Sequence, residues 1–166
     1  MRILLDSNLL CRLARRDDPQ HEEARQAVRG ALESGAELFF CPQVEREFWA
    51  VATRPRVENG LGMTPPEAAA ALRDWREAFL QFVPDSPAGH ATWLRLAAEY
   101  EVCGKQVHDA AIVSAAKAAG LDQILTFNGE HFRRYQREIS IRTPGELLRE
   151  LPHPTPERSR DRGLER

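Results

Sequence analysis

Of the 23 basic residues in this 166-residue chain only Lys105 and Lys117 are lysine, and 25 acidic residues leave a net charge of -2. A balance this close to neutral excludes a histone-like polycation, while leaving room for a local basic patch on an acidic body. The arginine bias accompanies many alanines and prolines, and compositional bias explains it before any phosphate-binding role does. Cysteine is scarce: Cys11, Cys41 and Cys103 are odd in number and widely spaced, with no CxxC and no Cys/His ligand spacing. That excludes a disulfide framework and a structural zinc site, and leaves the three as small apolar filler. No apolar run approaches the roughly 18 residues of a membrane span, and in the opening MRILLD an Asp interrupts what would be a signal peptide's apolar stretch. The expectation is a soluble, cytoplasmic protein that does not associate with membrane.

Hydrophobic residues make up 42% of the chain and charged residues 29%. A single domain of this length buries roughly two-thirds of its unfolded surface and needs no metal or disulfide to fold. Residues 2–5 read as a buried strand, followed by a tight turn at Asp6-Ser7-Asn8. From Pro19, the spacing of Ala24, Ala27, Val28, Ala31 and Leu32 predicts a helix that stops at Gly35. Residues 37–41 form a second strand, and Pro42 opens a helix that ends before Pro55. After a Gly/Pro loop, Thr64-Pro65-Pro66-Glu67 makes a capping box for a helix running to about Phe82. The remaining pattern predicts strands at 81–84, 123–127 and 139–142, helices at 91–100, 107–119 and 144–151, and a short helix near Phe132. Short strands alternating with longer helices give an α/β fold with a mostly parallel sheet of four to five short strands flanked by helices. The domain occupies residues 1–151; residues 152–166, polar and without periodicity, are expected to be a disordered tail.

In an open parallel sheet, ligands bind beyond the carboxyl ends of the strands. Asp6 after RILL and Asn128 after QILTF fall at such ends and should emerge at one rim, although a lone Asp there is most often a turn former or helix cap. In the helix from Pro42, Val44, Phe48 and Val51 form the apolar stripe. Glu45 and Glu47 flank that stripe about 200° apart, so only one can face the rim, and periodicity does not choose between them. Asp109 lies in the first turn of an alanine-rich helix, where a carboxylate also suits the helix dipole. His108 beside it is an ordinary surface or capping histidine before it is a phosphate contact. Carboxylates gathered at one rim repel one another and call for a cation. All-oxygen donors select a hard ion, Mg2+ or Mn2+ in its place, which is the equipment of phosphodiester hydrolysis.

Four segments in order, LLDSN, PQVEREFWAVATRP with the downstream NGLG, GKQVHDAAIVSAA and ILTFNGEHF, resemble the PIN-domain family, most closely its VapC-type ribonuclease toxins. The likeness runs from residue 1 to about 148. The resemblance implies a PIN-like three-layer fold and a Mg2+-dependent endoribonuclease acting as the toxin of a toxin–antitoxin pair. Asp6 matches the family's first acidic residue and Asp109 its third, in the HDA segment. Glu47 matches the second, because the family's glutamate directly precedes the aromatic; this chooses it over Glu45. Asn128 stands where many members carry an acidic residue, which removes one negative charge and puts a second metal site in question, with Glu130 as the nearest substitute. The implied roles place Asp6 and Asp109 on the metal, Glu47 as ligand or water-positioning base, and Asn128 as an orienter of water. Ser7 and Asn8 fit the turn after the first Asp, and the Ser7 hydroxyl helps position the site. Arg12, Arg15, Arg16, Arg133 and Arg134 are candidate contacts to the RNA backbone. The implied partners are the RNA substrate, a cognate antitoxin covering the acidic groove, and a second copy of the chain in a homodimer. Trp75 and Phe79 are available for a dimer surface, although core packing is their default. Three other readings share parts of this frame. A metal-dependent phosphatase is disfavoured by Asn8, which stands where its second Asp belongs; a non-catalytic PIN-like binder and a metal-dependent DNA nuclease remain as alternatives.

Overall fold

The computed structural model describes residues 1–151, and the predicted tail lies outside the described residues. In chain order the elements are β1 (Arg2–Leu5), α1 (Ser7–Ala14), α2 (His21–Glu33), β2 (Glu37–Phe40), α3 (Pro42–Thr53), α4 (Pro65–Ala78) and β3 (Leu80–Phe82). They continue as α5 (Pro87–Glu99), α6 (Gln106–Ala118), β4 (Gln123–Leu125), α7 (Gly129–Phe132), β5 (Ser140–Arg142) and α8 (Pro144–Glu150). All neighbouring strands run parallel, in the order β3-β2-β1-β4-β5. The α/β reading with five short parallel strands therefore holds. Ile3, Leu4, Leu5, Leu38 and Phe40 are fully buried, which requires cover on both faces of the sheet. Right-handed crossovers put α1 to α4 on one face and α5 and α6 on the other. Accordingly α1 packs against α2 and α3, α8 returns onto α2, and α5 lies along α6.

The strand order reverses between β1 and β4, so the crevice beyond their carboxyl ends is the switch point where this architecture binds ligands. Leu5 pairs with Leu125, and the Asp6 N–H donates to the Leu125 carbonyl at 3.0 Å. The first residues beyond the two strands thus stand side by side.

Four local expectations are corrected. Asp6-Ser7-Asn8 is no tight turn: Asp6 caps α1, its side chain accepting from the Ser7 N–H, and Leu9 and Leu10 are buried beneath that short helix. The helix opened by the Thr64–Glu67 capping box ends at Ala78 rather than near Phe82, because Leu80 and Phe82 pair with Leu38 and Phe40 as β3. Helix α5 begins at Pro87, four residues before the predicted start, with Ser86 Oγ accepting from Gly89 N at 3.0 Å. On α3 the fully buried stripe is Val44, Phe48 and Ala52, with Val51 at its edge.

The NGLG segment has a structural task. Leu61 N–H donates to Val51 O at 3.0 Å, Gly62 N–H to Arg54 O at 2.9 Å, and Met63 N–H to Ala52 O at 2.8 Å, so the loop satisfies carbonyls that α3 leaves open. The close approach admits no side chain at Gly60, where a Cβ would stand 1.9 Å from the Arg54 carbonyl oxygen. Gly60→Ala is expected to cost about 1–3 kcal/mol, the range for forced overpacking, and to lower the urea midpoint with an unchanged slope.

Candidate functional site

Asp6 is 5% exposed, the most deeply buried carboxylate among the described residues. Its Oδ1 accepts from Ser7 N at 2.6 Å; its Oδ2 accepts from Asn8 Nδ2 at 2.6 Å and from Thr126 Oγ1 at 2.7 Å. Ser7 Oγ lies 3.3 Å from Asp6 Oδ1 but gives its one proton to Glu47 Oε2 at 2.7 Å. A lone pair on Asp6 Oδ1 is therefore left without a proton donor. Burial pushes the Asp6 carboxyl up to about 6; the Thr126 and Ser7 hydrogen bonds oppose the rise, and the charges of Glu47 and Asp109 add to it.

Glu47 comes from the first half of α3, where Gln43 one turn earlier donates to its Oε1 at 2.8 Å. Gln43 also meets His108 Nδ1 at 3.0 Å, so the polar chain runs from Asp6 through Ser7, Glu47 and Gln43 to the start of α6. Asp109 follows His108 and is half-buried. Burial raises its carboxyl above the ordinary range, the neighbouring His131 opposes this, and Glu47 adds to it. Among the described residues no hydrogen bond reaches its carboxylate. Glu47, Asp109 and Glu130 share one open groove of about 500 Å³ with Lys105, His131 and Arg134. Glu45 lies instead in a separate cleft with Trp49 and Arg76.

Asn128 is exposed and enters the site through its backbone, its N–H donating to Thr126 Oγ1 at 2.9 Å. Glu130 does reach the groove, where Arg133 pairs with it at 3.0 Å. Two residues that the sequence reading passed over are central. Thr126 is fully buried and its hydroxyl is saturated: it donates to Asp6 and accepts from Asn8 Nδ2 and Asn128 N, both at 2.9 Å. Gln43 orients Glu47. The available signal for Thr126 was its place one residue beyond β4, level with Asp6 beyond β1.

The donor chemistry fits a hard divalent ion. Asp6 keeps an open lone pair, Asp109 has no proton donor among the described residues, and the charge of Asp109 adds to the proton affinity of Asp6. Among the described residues no three His, Cys, Asp or Glu side chains stand together as a ligand set. Mg2+ does not require three, because it commonly keeps several waters and takes one or two carboxylates. Cysteine chemistry is remote from this picture: burial pushes the Cys11 thiol up to about 12 and the Cys41 thiol up to about 11. Among the described residues no helix is long and apolar enough to cross a membrane. Trp75 packs edge-on against Phe48 and, with Phe79, lines an apolar groove of about 620 Å³.

A comparison with curated protein sequences finds no match. Among solved structures the chain is similar to VapBC2 from Rickettsia felis bound to a DNA fragment from its promoter, with TM-score 0.63 and 17% identity over 86% of this chain and 98% of that one. It is also similar to VapBC-1 from nontypeable Haemophilus influenzae, with TM-score 0.62 and 12% identity over 87% and 99%. A third likeness is to VapC20 from Mycobacterium tuberculosis, a sarcin–ricin loop cleaving toxin, with TM-score 0.59 and 14% identity over 79% and 93%. At such identities these likenesses speak for the fold. The sequence itself matches the model of the PIN domain over residues 3–138, a span that takes in Asp6, Glu47, Asp109 and Asn128. With that match over most of its length, the chain belongs to the PIN domain family.

Proposed function

We propose that this protein is a Mg2+-dependent endoribonuclease and the toxin of a toxin–antitoxin pair, working in the cytoplasm. The observation that carries the reading is the buried Asp6 carboxyl, caged by Ser7, Asn8 and Thr126 beside Glu47 and Asp109 at the switch point. Asp6 and Asp109 would hold the ion, Mg2+ or Mn2+. When bound, such an ion polarises a phosphate oxygen and makes a coordinated water more acidic. Glu47 is fixed from both sides by Ser7 and Gln43, which suits it to orient the attacking water and accept its proton. Asn128, neutral and exposed, orients water at the rim without adding charge. The structural relatives include VapBC assemblies, which supports a cognate antitoxin as partner; self-association into a homodimer belongs to the same proposal.

The test compares wild type with Asp6→Asn and Asp109→Asn on mixed single-stranded RNA, with Mg2+, with Mn2+ and with EDTA. Cleavage is expected only for wild type with a divalent ion, and each variant should fall by roughly a hundredfold or more, the scale of losing a principal charge stabiliser. Circular dichroism checks that both variants keep their fold. Cleavage indifferent to EDTA and to both substitutions would sink the proposal. Asn128 favours one second reading, a PIN-like protein that binds RNA without cutting it; that reading predicts wild-type binding with no product under any ion.

A further inference from the structure

Five arginines near the site are sequence candidates for contact with RNA, and the structure gives four of them other work. Arg12 Nε donates to Gln20 Oε1 at 2.6 Å and its Nη1 to the Asn8 carbonyl at 3.0 Å, while its guanidinium lies over the Phe127 ring. Arg15 pairs with Asp17, Arg133 pairs with Glu130, and Arg16 lines the apolar groove beside Trp75. Arg134 alone of the five lines the acidic groove.

Its attachment leaves it available. Arg134 Nη1 donates to Gln106 Oε1 at 2.7 Å and reaches the Tyr100 carbonyl at 3.4 Å, and Gln106 is itself fixed by accepting from Cys103 N at 3.2 Å. Among the described residues only one of the three guanidinium nitrogens is used, and no carboxylate pairs with it. A guanidinium tethered at one edge loses little freedom when its other nitrogens meet an anion. Lys105 lines the same groove, exposed and without an ion pair among the described residues. The other lysine, Lys117, is committed to Glu138 at 2.8 Å. The groove is thus lined both by carboxylates and by two cations that make no ion pair among the described residues.

We propose that Lys105 and Arg134 form a phosphate clamp holding a nucleotide next to the scissile one, so that a single RNA strand lies along the groove that these two cations share with the carboxylates. The inference rests on the nuclease reading and names the substrate contacts of that site. Contacts to phosphate fix position and carry no sequence information, so the clamp serves every RNA sequence alike.

The test is fluorescence anisotropy of a labelled, mixed-sequence single-stranded RNA titrated with the full chain in EDTA, where a divalent-dependent enzyme leaves it uncut. Binding is measured across a salt series for wild type, Lys105→Gln, Arg134→Gln, the double variant, Lys105→Arg and Arg133→Gln. Each phosphate contact removed is expected to lower the slope of log affinity against log salt by about 0.7, the single-strand value, and to weaken unrelated sequences by the same factor. Lys105→Arg keeps the wild-type slope, and so does Arg133→Gln. A double variant that is folded by circular dichroism yet keeps the wild-type slope overturns the clamp, as does a wild type that binds no RNA. Divalent-dependent cleavage with unchanged slopes removes the clamp and leaves the nuclease reading standing. Slopes that fall as expected, with no cleavage by wild type, remove the nuclease reading and leave the clamp.

Discussion

Freed of divalent ions, the protein is expected to lose about 3 kcal/mol of stability as pH rises from roughly 4 to 7, and saturating Mg2+ is expected to restore most of it. The sign follows from Asp6. Its carboxyl titrates at 3.8 when unperturbed and at about 6 in the fold, so between those values the folded state holds a proton that the unfolded chain has released. Stability therefore falls with rising pH across that window, at about 1.4 kcal/mol for each unit of difference. Asp109, also raised by burial, acts in the same direction. Glu138 acts oppositely in a lower window. Arg95 and Lys117 hold its carboxyl down to about 2, so its contribution is complete above 4.5 and is lost as pH falls through 2. The metal-free protein should thus be most stable near pH 4 to 5.

A cation at the carboxylates reverses the upper limb, because it binds the ionised form and not the protonated one. At one hundred times its dissociation constant it adds about 2.7 kcal/mol. Urea unfolding at steps of pH, with EDTA and with Mg2+, reads both effects. Asp6→Asn should flatten the limb and abolish the response to Mg2+. It should also be less stable than wild type in acid: Asn8 Oδ1 accepts from Phe127 N, so Asn8 cannot flip, and an amide at position 6 turns a donor toward the Asn8 donor. An upper limb that persists in Asp6→Asn would show that this carboxyl is not its source.

The parts of this molecule legible in its sequence are those where one physical rule acts alone. Apolar runs marked β1, β2 and β4 because strands covered on both faces need no alternation. Thr64 with Glu67 announced α4 because a capping box is a local device. Helix α1 was hidden because eight residues, SNLLCRLA, are too few to show a period, and because Asp-Ser-Asn serves a turn as readily as a helix start. The end of α4 was hidden because sheet pairing, a long-range event, overrides local helical preference at Leu80–Phe82. At the candidate site, Asp6, Glu47 and Asp109 are legible as carboxylates within motifs that follow one another in order, whereas Thr126 carries no charge and reveals itself only by what it touches. Sequence likewise offered five arginines, and only the placement of their partners singles out Arg134.

Thr126→Val should be nearly as damaging to the site as the loss of a carboxylate, although it keeps volume and removes no charge. The Thr126 hydroxyl gives its proton to Asp6 Oδ2 and takes one hydrogen bond from Asn8 Nδ2 and another from Asn128 N. A methyl in its place leaves the Asn128 N–H without that acceptor and withdraws a donor from a carboxylate that is already costly to ionise. Unfolding should become easier by about 1–3 kcal/mol, the cost of stranded buried polar groups. Divalent affinity should fall about 10- to 100-fold, the usual loss when a group that orients a ligand is removed. Because the Thr126 bond holds the Asp6 carboxyl down, its loss moves the pH limb upward, a signature that a purely structural defect would not produce. Thr126→Ser keeps the hydroxyl and should recover the affinity and the pH profile while remaining slightly less stable for want of a buried methyl. If valine and serine behaved alike in ion affinity, the hydroxyl would be packing rather than chemistry, and Asp6 would owe its setting to Ser7 and Asn8 alone.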